Sequence, residues 1–212
     1  MTSDKHILKY ENVTVRQGDM AVLDDFNLAI KPQEKVILTG PSGVGKTTVL
    51  RLPLGFRRPD AGRVLFDGEE IDGDTVWSVR RRIAYVSQDV ALGHGTVREF
   101  VDRAFSYRAN SERTPMIQKI NEALERLKLP AAILGKDLAD ISGGEKQRVA
   151  IAVSILLERD VFLLDEITSA LDRELKKHVL DLFLNEPQWT VLAISHDAPP
   201  DSGHARTIRM TG

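Results

Sequence analysis

The stretch that decides the fold is Val36-Ile37-Leu38-Thr39-Gly40-Pro41-Ser42-Gly43-Val44-Gly45-Lys46-Thr47-Thr48. Its first four residues are apolar or β-branched, which favours a short buried strand. The next eight match the phosphate-binding pattern G-x-x-x-x-G-K-[ST], and the residues from Thr47 onward favour a helix. This order brings backbone N–H groups and a helix N-terminus to one anion. The stretch therefore predicts a nucleotide-binding α/β fold.

Two residues of this loop carry its chemistry. The Lys46 ammonium would reach the β- and γ-phosphates, and the Thr47 hydroxyl would bind Mg²⁺. The alternative is a chance glycine turn, and the predicted strand before the loop and helix after it argue against that alternative. The pattern alone leaves many nucleotide-binding families open.

Two further apolar runs end in polar residues. Residues 161–164 precede Asp165 and Glu166, and residues 191–194 precede Ser195. Such runs predict buried parallel strands whose functional groups lie at the carboxyl edge of the sheet. There, Asp165 would hold Mg²⁺ through water, and Glu166 would polarise the attacking water. An acidic pair at a strand end is by itself more often plain surface, but beside a phosphate loop it predicts a metal and water site.

The remaining segments differ in character. Segments 7–16, 26–30 and 62–66 predict half-buried antiparallel strands. The region of about 96–140 predicts helices, because apolar residues recur at helical spacing between two prolines. These residues are Ile117, Ile120, Leu124 and Leu127, between Pro115 and Pro130.

A second glycine-rich segment is Ile141-Ser142-Gly143-Gly144-Glu145-Lys146-Gln147-Arg148. Ser142 and Glu145 have the spacing of a capping box, which begins a helix whether or not a ligand binds. Two glycines in the first turn cost roughly 1 kcal/mol each relative to alanine. A plain cap does not need them, whereas a phosphate that approaches bare backbone N–H groups does. The segment therefore predicts both a helix start and a phosphate contact.

The motifs and their order resemble the nucleotide-binding domain of ATP-binding cassette (ABC) transporters over nearly the whole chain. The corresponding segments are Gly40–Thr47 for Walker A, Val161–Glu166 for Walker B, Ser142–Gln147 for the family signature, Gln88 for the Q-loop, Ser169–Asp172 for the D-loop and His196 for the switch histidine.

This resemblance implies an α/β fold. It has a P-loop NTPase core with a mostly parallel sheet, an antiparallel β subdomain and an inserted α-helical subdomain over about 96–155. Residues 1–212 would form a single ABC ATPase domain. Two copies would meet head to tail around two ATP–Mg²⁺. ATP on the phosphate loop of one copy would then be covered by Ser142, Gly143, Gly144 and Glu145 of the other.

The resemblance also implies the roles of the site residues. The catalytic residues would be Glu166, His196, Gln88 and Lys46, with His196 in contact with the γ-phosphate. The metal would be held by Thr47, Gln88 and Asp165. Gln88 would also connect Mg²⁺ and water to the membrane subunit, and the loop from Gly40 to Thr48 would bind the phosphates.

The adenine contact departs from the family's pattern. Gln17 stands where an aromatic residue usually stacks on the base. Tyr10 lies too early in that alignment, although a shifted register would bring it to the base. Arg16 is the other candidate, since a guanidinium can stack on a ring. We therefore expect weak discrimination between bases, because phosphate contacts provide most of the binding.

The composition of the chain limits which binding partners and which cellular location are expected. The chain has 212 residues, a net charge of −2 and no cysteine. Such a charge gives no electrostatic reason to expect nucleic-acid or anionic-lipid binding. No apolar stretch is long enough to span a bilayer, so direct membrane insertion is not expected. The resemblance then implies a peripheral subunit at the cytoplasmic face of the inner membrane, attached through a separate polytopic permease.

A closer similarity concerns the cargo. Residues 164–172 and 93–97 are similar to the FetA-type ATPases associated with iron export, which suggests metal export. Two other functions remain open: a soluble ABC ATPase without a transport role, and a regulatory nucleotide switch. The first class normally carries a long coiled coil or a second cassette. The second would be expected to lose Glu166, Gln88 or His196.

Overall fold

The computed structural model describes residues 5–110, 115–195 and 205–211. In these parts of the chain, nine strands form two sheets, and six α-helices pack around them. The strands are β1 Leu8–Gln17, β2 Met20–Ile30, β3 Lys35–Thr39, β4 Ala61–Phe66, β5 Glu69–Glu70, β6 Ile83–Val86, β7 Val161–Asp165, β8 Thr190–Ile194 and β9 Arg206–Arg209. The helices are α1 Lys46–Arg51, α2 Val76–Arg80, α3 Val97–Ser106, α4 Ile117–Glu125, α5 Gly143–Leu156 and α6 Arg173–Asn185, with 3₁₀ turns at Leu52–Leu54 and Ala131–Gly135.

The larger sheet is parallel, with the strand order β6-β7-β8-β3-β9. Both of its faces are buried, since neighbouring residues of β7 belong to different cores. Val161 and Leu163 pack in the core shared with the antiparallel sheet, and Phe162 and Leu164 pack against the helices. A strand buried on both faces has a continuous apolar run. The predicted parallel strands at 36–39, 161–164 and 191–194 are therefore confirmed.

The smaller sheet is antiparallel, with the order β2-β1-β4-β5. Strand β2 begins at Met20, six residues before the predicted segment 26–30. The reason is a tight turn at Gly18, where φ is 61°, which lets β2 pair with β1 from the Gln17–Met20 pair onward.

Helices α3, α4 and α5 lie between β6 and β7 along the chain, and so the predicted helical insertion is present. Of the four apolar residues predicted for it, Ile120, Leu124 and Leu127 are buried, whereas Ile117 at the first position of α4 is exposed. The assignment of residues of about 96–155 to a separate helical subdomain stays a prediction. Within the described residues, no helix has the length and apolar character needed to cross a membrane.

Candidate functional site

The phosphate loop connects the end of β3 to the start of α1, in the predicted order of strand, loop and helix. Gly45 caps α1 with a φ of 95°. A Cβ at this position would lie 2.7 Å from the carbonyl oxygen of Val22 and 2.8 Å from Cδ2 of Leu23. A side chain is therefore excluded by the backbone angle and by the close approach of β2.

Lys46 is buried although it carries a charge. Its Nζ donates hydrogen bonds to the carbonyl oxygens of Gly40, at 2.9 Å, and Pro41, at 2.7 Å. These bonds satisfy the ammonium and keep it against the first two residues of the loop. The positive charge is thus placed at the loop that was predicted to bind phosphates.

The three predicted metal-binding residues line one cleft of about 380 Å³. Thr47 lies at the start of α1, Asp165 at the end of β7, and Gln88 in the loop after β6. The hydroxyl of Thr47 donates to Oδ1 of Asp165 at 3.1 Å. Their donors are hydroxyl, carboxylate and amide oxygens, which are ligands that suit Mg²⁺. Among the described residues, no three acidic or histidine side chains are grouped so that they could hold a metal ion.

Asp165 is held through both of its carboxylate oxygens. Oδ2 accepts a hydrogen bond from the hydroxyl of Tyr85 at 3.2 Å. Burial raises the pKa of Asp165, and the hydrogen bonds from Thr47 and Tyr85 oppose that shift. No role was predicted for Tyr85 from the sequence. The available signal was its hydroxyl group, which is the one polar side-chain group in the strand that leads to Gln88.

Glu166 follows β7 with a φ of 49°. Left-handed backbone is uncommon for a residue other than glycine and costs on the order of 1–3 kcal/mol. The Glu166 carbonyl accepts the N–H of Ser169 at 3.0 Å, which closes the turn. The Glu166 side chain is half-buried and does not line the cleft around Thr47 and Asp165. Its catalytic role stays a prediction.

The predicted switch histidine, His196, lies outside the described residues. The residue before it, Ser195, directly follows β8, and its N–H donates to the carbonyl of Leu38 in β3 at 3.2 Å. Ser195 thus lies at the carboxyl edge of the parallel sheet, which is also the edge that carries Asp165.

Arg16 and Gln17 are exposed at the tip of the β1–β2 hairpin. Further along β2, Val22 and Leu23 approach Gly45 of the phosphate loop. Arg16 and Gln17 thus lie a few residues before the part of β2 that contacts the phosphate loop. Neither residue is aromatic, and their roles in binding a base stay predictions.

Tyr10 cannot serve as the base-stacking residue, so the shifted register is wrong. The side chain is 1% exposed, and its hydroxyl donates to the carbonyl of Val49 at 2.8 Å. Its ring packs edge-on against Phe26, with the centroids 5.6 Å apart. The physical reason is that Tyr10 fills the core between the antiparallel sheet and α1.

The predicted capping box at the start of α5 is confirmed. The Glu145 N–H donates to Oγ of Ser142 at 3.2 Å, and the Ser142 N–H donates to Oε2 of Glu145 at 2.8 Å. The latter bond is the main cause of the lowered pKa of Glu145. The segment Ser142–Glu145 does not line the cleft around Asp165 in its own chain.

The two glycines after Ser142 differ. A Cβ on Gly144 would lie 3.1 Å from the carbonyl oxygen of Ala170 in the D-loop, so packing within the chain already favours glycine there. The expectation that the fold needs neither glycine is therefore wrong for Gly144. A Cβ on Gly143 would meet nothing within 4 Å. Only Gly143 lacks an explanation in the packing of its own chain.

Gln147 connects this helix to the loop of Gln88. It is buried, and its Nε2 donates to the carbonyl of Ser87 at 3.3 Å. Gln147 belongs to the signature motif, but no role was predicted for it. No local pattern in the sequence separates it from the other polar residues in the first half of α5.

Comparison with known proteins identifies the family. The sequence profile of the family described as ABC transporter matches residues 23–169, which include the phosphate loop, the signature segment and Asp165. The chain belongs to the ABC transporter family. The ATP-binding domains of this family hydrolyse ATP, and the chain is therefore an ABC-type ATPase.

Individual ABC proteins agree with this assignment. The probable iron export ATP-binding protein FetA of Escherichia coli K12 is 34% identical over 200 residues, which cover 93% of this chain and 88% of FetA. The Fe(3+) ions import ATP-binding protein FbpC of Escherichia coli O157:H7 is 35% identical over 199 residues, or 92% of this chain and 56% of FbpC. This chain thus spans just over half the length of FbpC. A solved dimeric bacterial ABC transporter cassette superimposes with a TM-score of 0.79 at 29% identity, covering 96% of this chain and 94% of that one.

Proposed function

We propose that this ABC ATPase works as a head-to-tail dimer around two ATP–Mg²⁺ and drives a separate membrane permease. The observation that carries the proposal is the convergence of Lys46, Thr47, Gln88 and Asp165 around the phosphate loop and its adjoining cleft. Residues 1–212 would act as one ABC ATPase domain, with the helical part over about 96–155 inserted.

Each residue has a defined task in this mechanism. The loop N–H groups and Lys46 bind and orient the phosphates. Mg²⁺, when bound by Thr47, Asp165 and Gln88, would neutralise charge that develops on the phosphates. Glu166 accepts a proton from the attacking water. His196 would contact the γ-phosphate.

The signature segment supports the dimer. Ser142 and Gly143 are exposed and lie away from the cleft of their own chain. A helix N-terminus with bare N–H groups suits a phosphate supplied by another molecule. The dimeric state of the solved cassette agrees with a second copy of this chain as that molecule.

Replacing Gly143 with alanine tests this contact. We expect a stability that is unchanged or up to about 1 kcal/mol higher, because alanine favours a helix. Hydrolysis should fall by about tenfold or more, because a methyl group would displace the partner's phosphate. Thermal unfolding and steady-state phosphate release measure the two effects.

The matched control is Gly135→Ala, since a Cβ there also meets nothing within 4 Å. Gly135 lies in a 3₁₀ turn outside the signature segment, so its variant should keep wild-type hydrolysis. Wild-type hydrolysis in Gly143→Ala would contradict the contact.

We also propose weak base selectivity, with kcat/KM for ATP and GTP within about tenfold because a stacking aromatic worth a few kcal/mol is missing. Competition kinetics with the two nucleotides measure this ratio. A strong preference for ATP that is lost in Arg16→Ala or Gln17→Ala would contradict it and would assign base recognition to that side chain.

A groove beside the cleft supports the permease partner. It has a volume of about 540 Å³ and is lined by apolar and aromatic side chains that include Trp77, Phe100 and Tyr107. Trp77 is 66% exposed and Tyr107 61% exposed. Ser87, next to Gln88, lines both the groove and the cleft. A cytoplasmic segment of the permease seated there would lie beside a residue proposed to bind the metal.

For the cargo, we propose metal export. FetA, named as a probable iron export ATP-binding protein, is 34% identical over 93% of this chain, and residues 164–172 and 93–97 are similar to FetA-type ATPases. The experiment is to purify the tagged chain with its native membrane partner, identify that partner and measure iron efflux from cells. The chain would then lie at the cytoplasmic face of the inner membrane. Recovery from membranes without any polytopic protein would contradict the permease, and efflux unaffected by deletion would contradict metal export.

A further inference from the structure

Tyr85 stands between the metal cleft and the groove proposed for the permease. It is half-buried in β6, next to β7, where it pairs with Leu163. Its side chain lines both the cleft that holds Asp165 and the groove that holds Trp77. It is thus placed to influence Asp165 and to contact whatever occupies the groove.

The hydroxyl of Tyr85 faces Asp165. An ionised carboxylate can only accept a hydrogen bond, and a phenol has one O–H to give. The Tyr85 O–H therefore donates to Oδ2 of Asp165, which lies 3.2 Å away. Arg51, in the last turn of α1, lines the same cleft.

The two oxygens of Asp165 consequently have separate partners. Thr47, from α1, donates to Oδ1, and Tyr85, from β6, donates to Oδ2. A carboxylate held at both oxygens cannot turn about its Cβ–Cγ bond without losing both bonds. Oδ1 is kept toward Thr47, another oxygen donor of the proposed metal site.

We propose that Tyr85 is a positioning residue that orients the Asp165 carboxylate for Mg²⁺. This inference rests on the proposed ATPase function and on its magnesium site. A purely structural tyrosine would fill the same space, but its hydroxyl would have no effect on the metal requirement.

The test is Tyr85→Phe, which keeps the ring and removes the hydroxyl. The Mg²⁺ concentration for half-maximal hydrolysis should rise about fivefold or more, because a hydrogen bond to a charged carboxylate is among the strong ones. A second readout needs no turnover: calorimetry with a non-hydrolysable ATP analogue. The gain in affinity on adding Mg²⁺ should shrink by a similar factor, whereas affinity in EDTA should stay unchanged because the phosphate loop is intact.

The matched control is Tyr10→Phe, which also removes a buried tyrosine hydroxyl, bonded to the carbonyl of Val49 rather than to Asp165. It should lower the unfolding temperature and leave the Mg²⁺ dependence unchanged. A second test variant is Tyr85→Leu, which also lacks the hydroxyl that bonds to Asp165 and should raise the Mg²⁺ requirement by a similar factor.

The outcomes separate the two claims. Wild-type Mg²⁺ dependence in folded Tyr85→Phe, or in Tyr85→Leu if Tyr85→Phe does not fold, would overturn the positioning role while leaving the ATPase function intact. Absence of ATP hydrolysis by the wild-type chain in its native complex would overturn the proposed function instead.

Discussion

Replacing Glu166 with glutamine is expected to lower the rate of ATP hydrolysis at least a hundredfold and to preserve ATP binding. An amide cannot accept the proton of the attacking water, and a positioned general base contributes about 10²–10⁴-fold to a rate. Glutamine has the same shape and can keep the φ of 49° found at this position. With hydrolysis blocked, ATP should hold two chains together, and light scattering should report a dimer.

Glu158→Gln provides the matched control. Glu158 has a φ of 50°, close to that of Glu166, and it lies in the turn after α5, away from the cleft around Asp165. Its variant should hydrolyse ATP at the wild-type rate. A Glu166→Gln chain that binds ATP and stays strictly monomeric would rule out the sandwich dimer.

Ser142→Arg is expected to abolish hydrolysis and to leave ATP binding to isolated chains intact. In the proposed dimer, Ser142 faces the γ-phosphate of the nucleotide bound by the partner, where a long side chain displaces it. The phosphate loop of the same chain is separate, since Ser142 does not line its adjoining cleft. Nucleotide titration by fluorescence and a phosphate-release assay measure the two properties.

The Ser142→Ala variant distinguishes the loss of the helix cap from the loss of the proposed contact with the partner's γ-phosphate. It removes the Ser142 hydroxyl that accepts the Glu145 N–H, at a cost of about 1 kcal/mol, without adding bulk. Its hydrolysis should exceed that of Ser142→Arg at a similar loss of stability. Failure of Ser142→Arg to bind ATP as a monomer would show that the segment serves folding or its own pocket.

A mixing experiment makes this test sharper. Lys46→Ala chains lack the phosphate lysine, and Ser142→Arg chains lack a working signature segment. In a head-to-tail mixed dimer, one site combines the intact loop of the second variant with the intact signature of the first. Mixing two inactive chains should therefore restore hydrolysis above the sum of the separate rates. If each signature served its own loop, no intact site would form.

Much of the fold could be predicted because its signals are local. The strand before Gly40, the glycine loop and the helix after it depend on residues that are neighbours in the chain, as does the capping box of Ser142 and Glu145. The extra length of β2 was missed because its first residues, from Met20, carry no alternating apolar pattern and are added by pairing with β1.

The sequence by itself determined the phosphate loop, the parallel strands whose carboxyl ends lie beside that loop, and the family's motifs. Each of these features depends on residues that are contiguous in the chain. Only the tertiary structure decided that Tyr10 is core, that Gly144 packs against Ala170 and that Tyr85 holds Asp165. Tyr85 and Asp165 are 80 residues apart in the chain, and they meet because β6 pairs with β7. Such contacts depend on strand order and register, which no local pattern specifies.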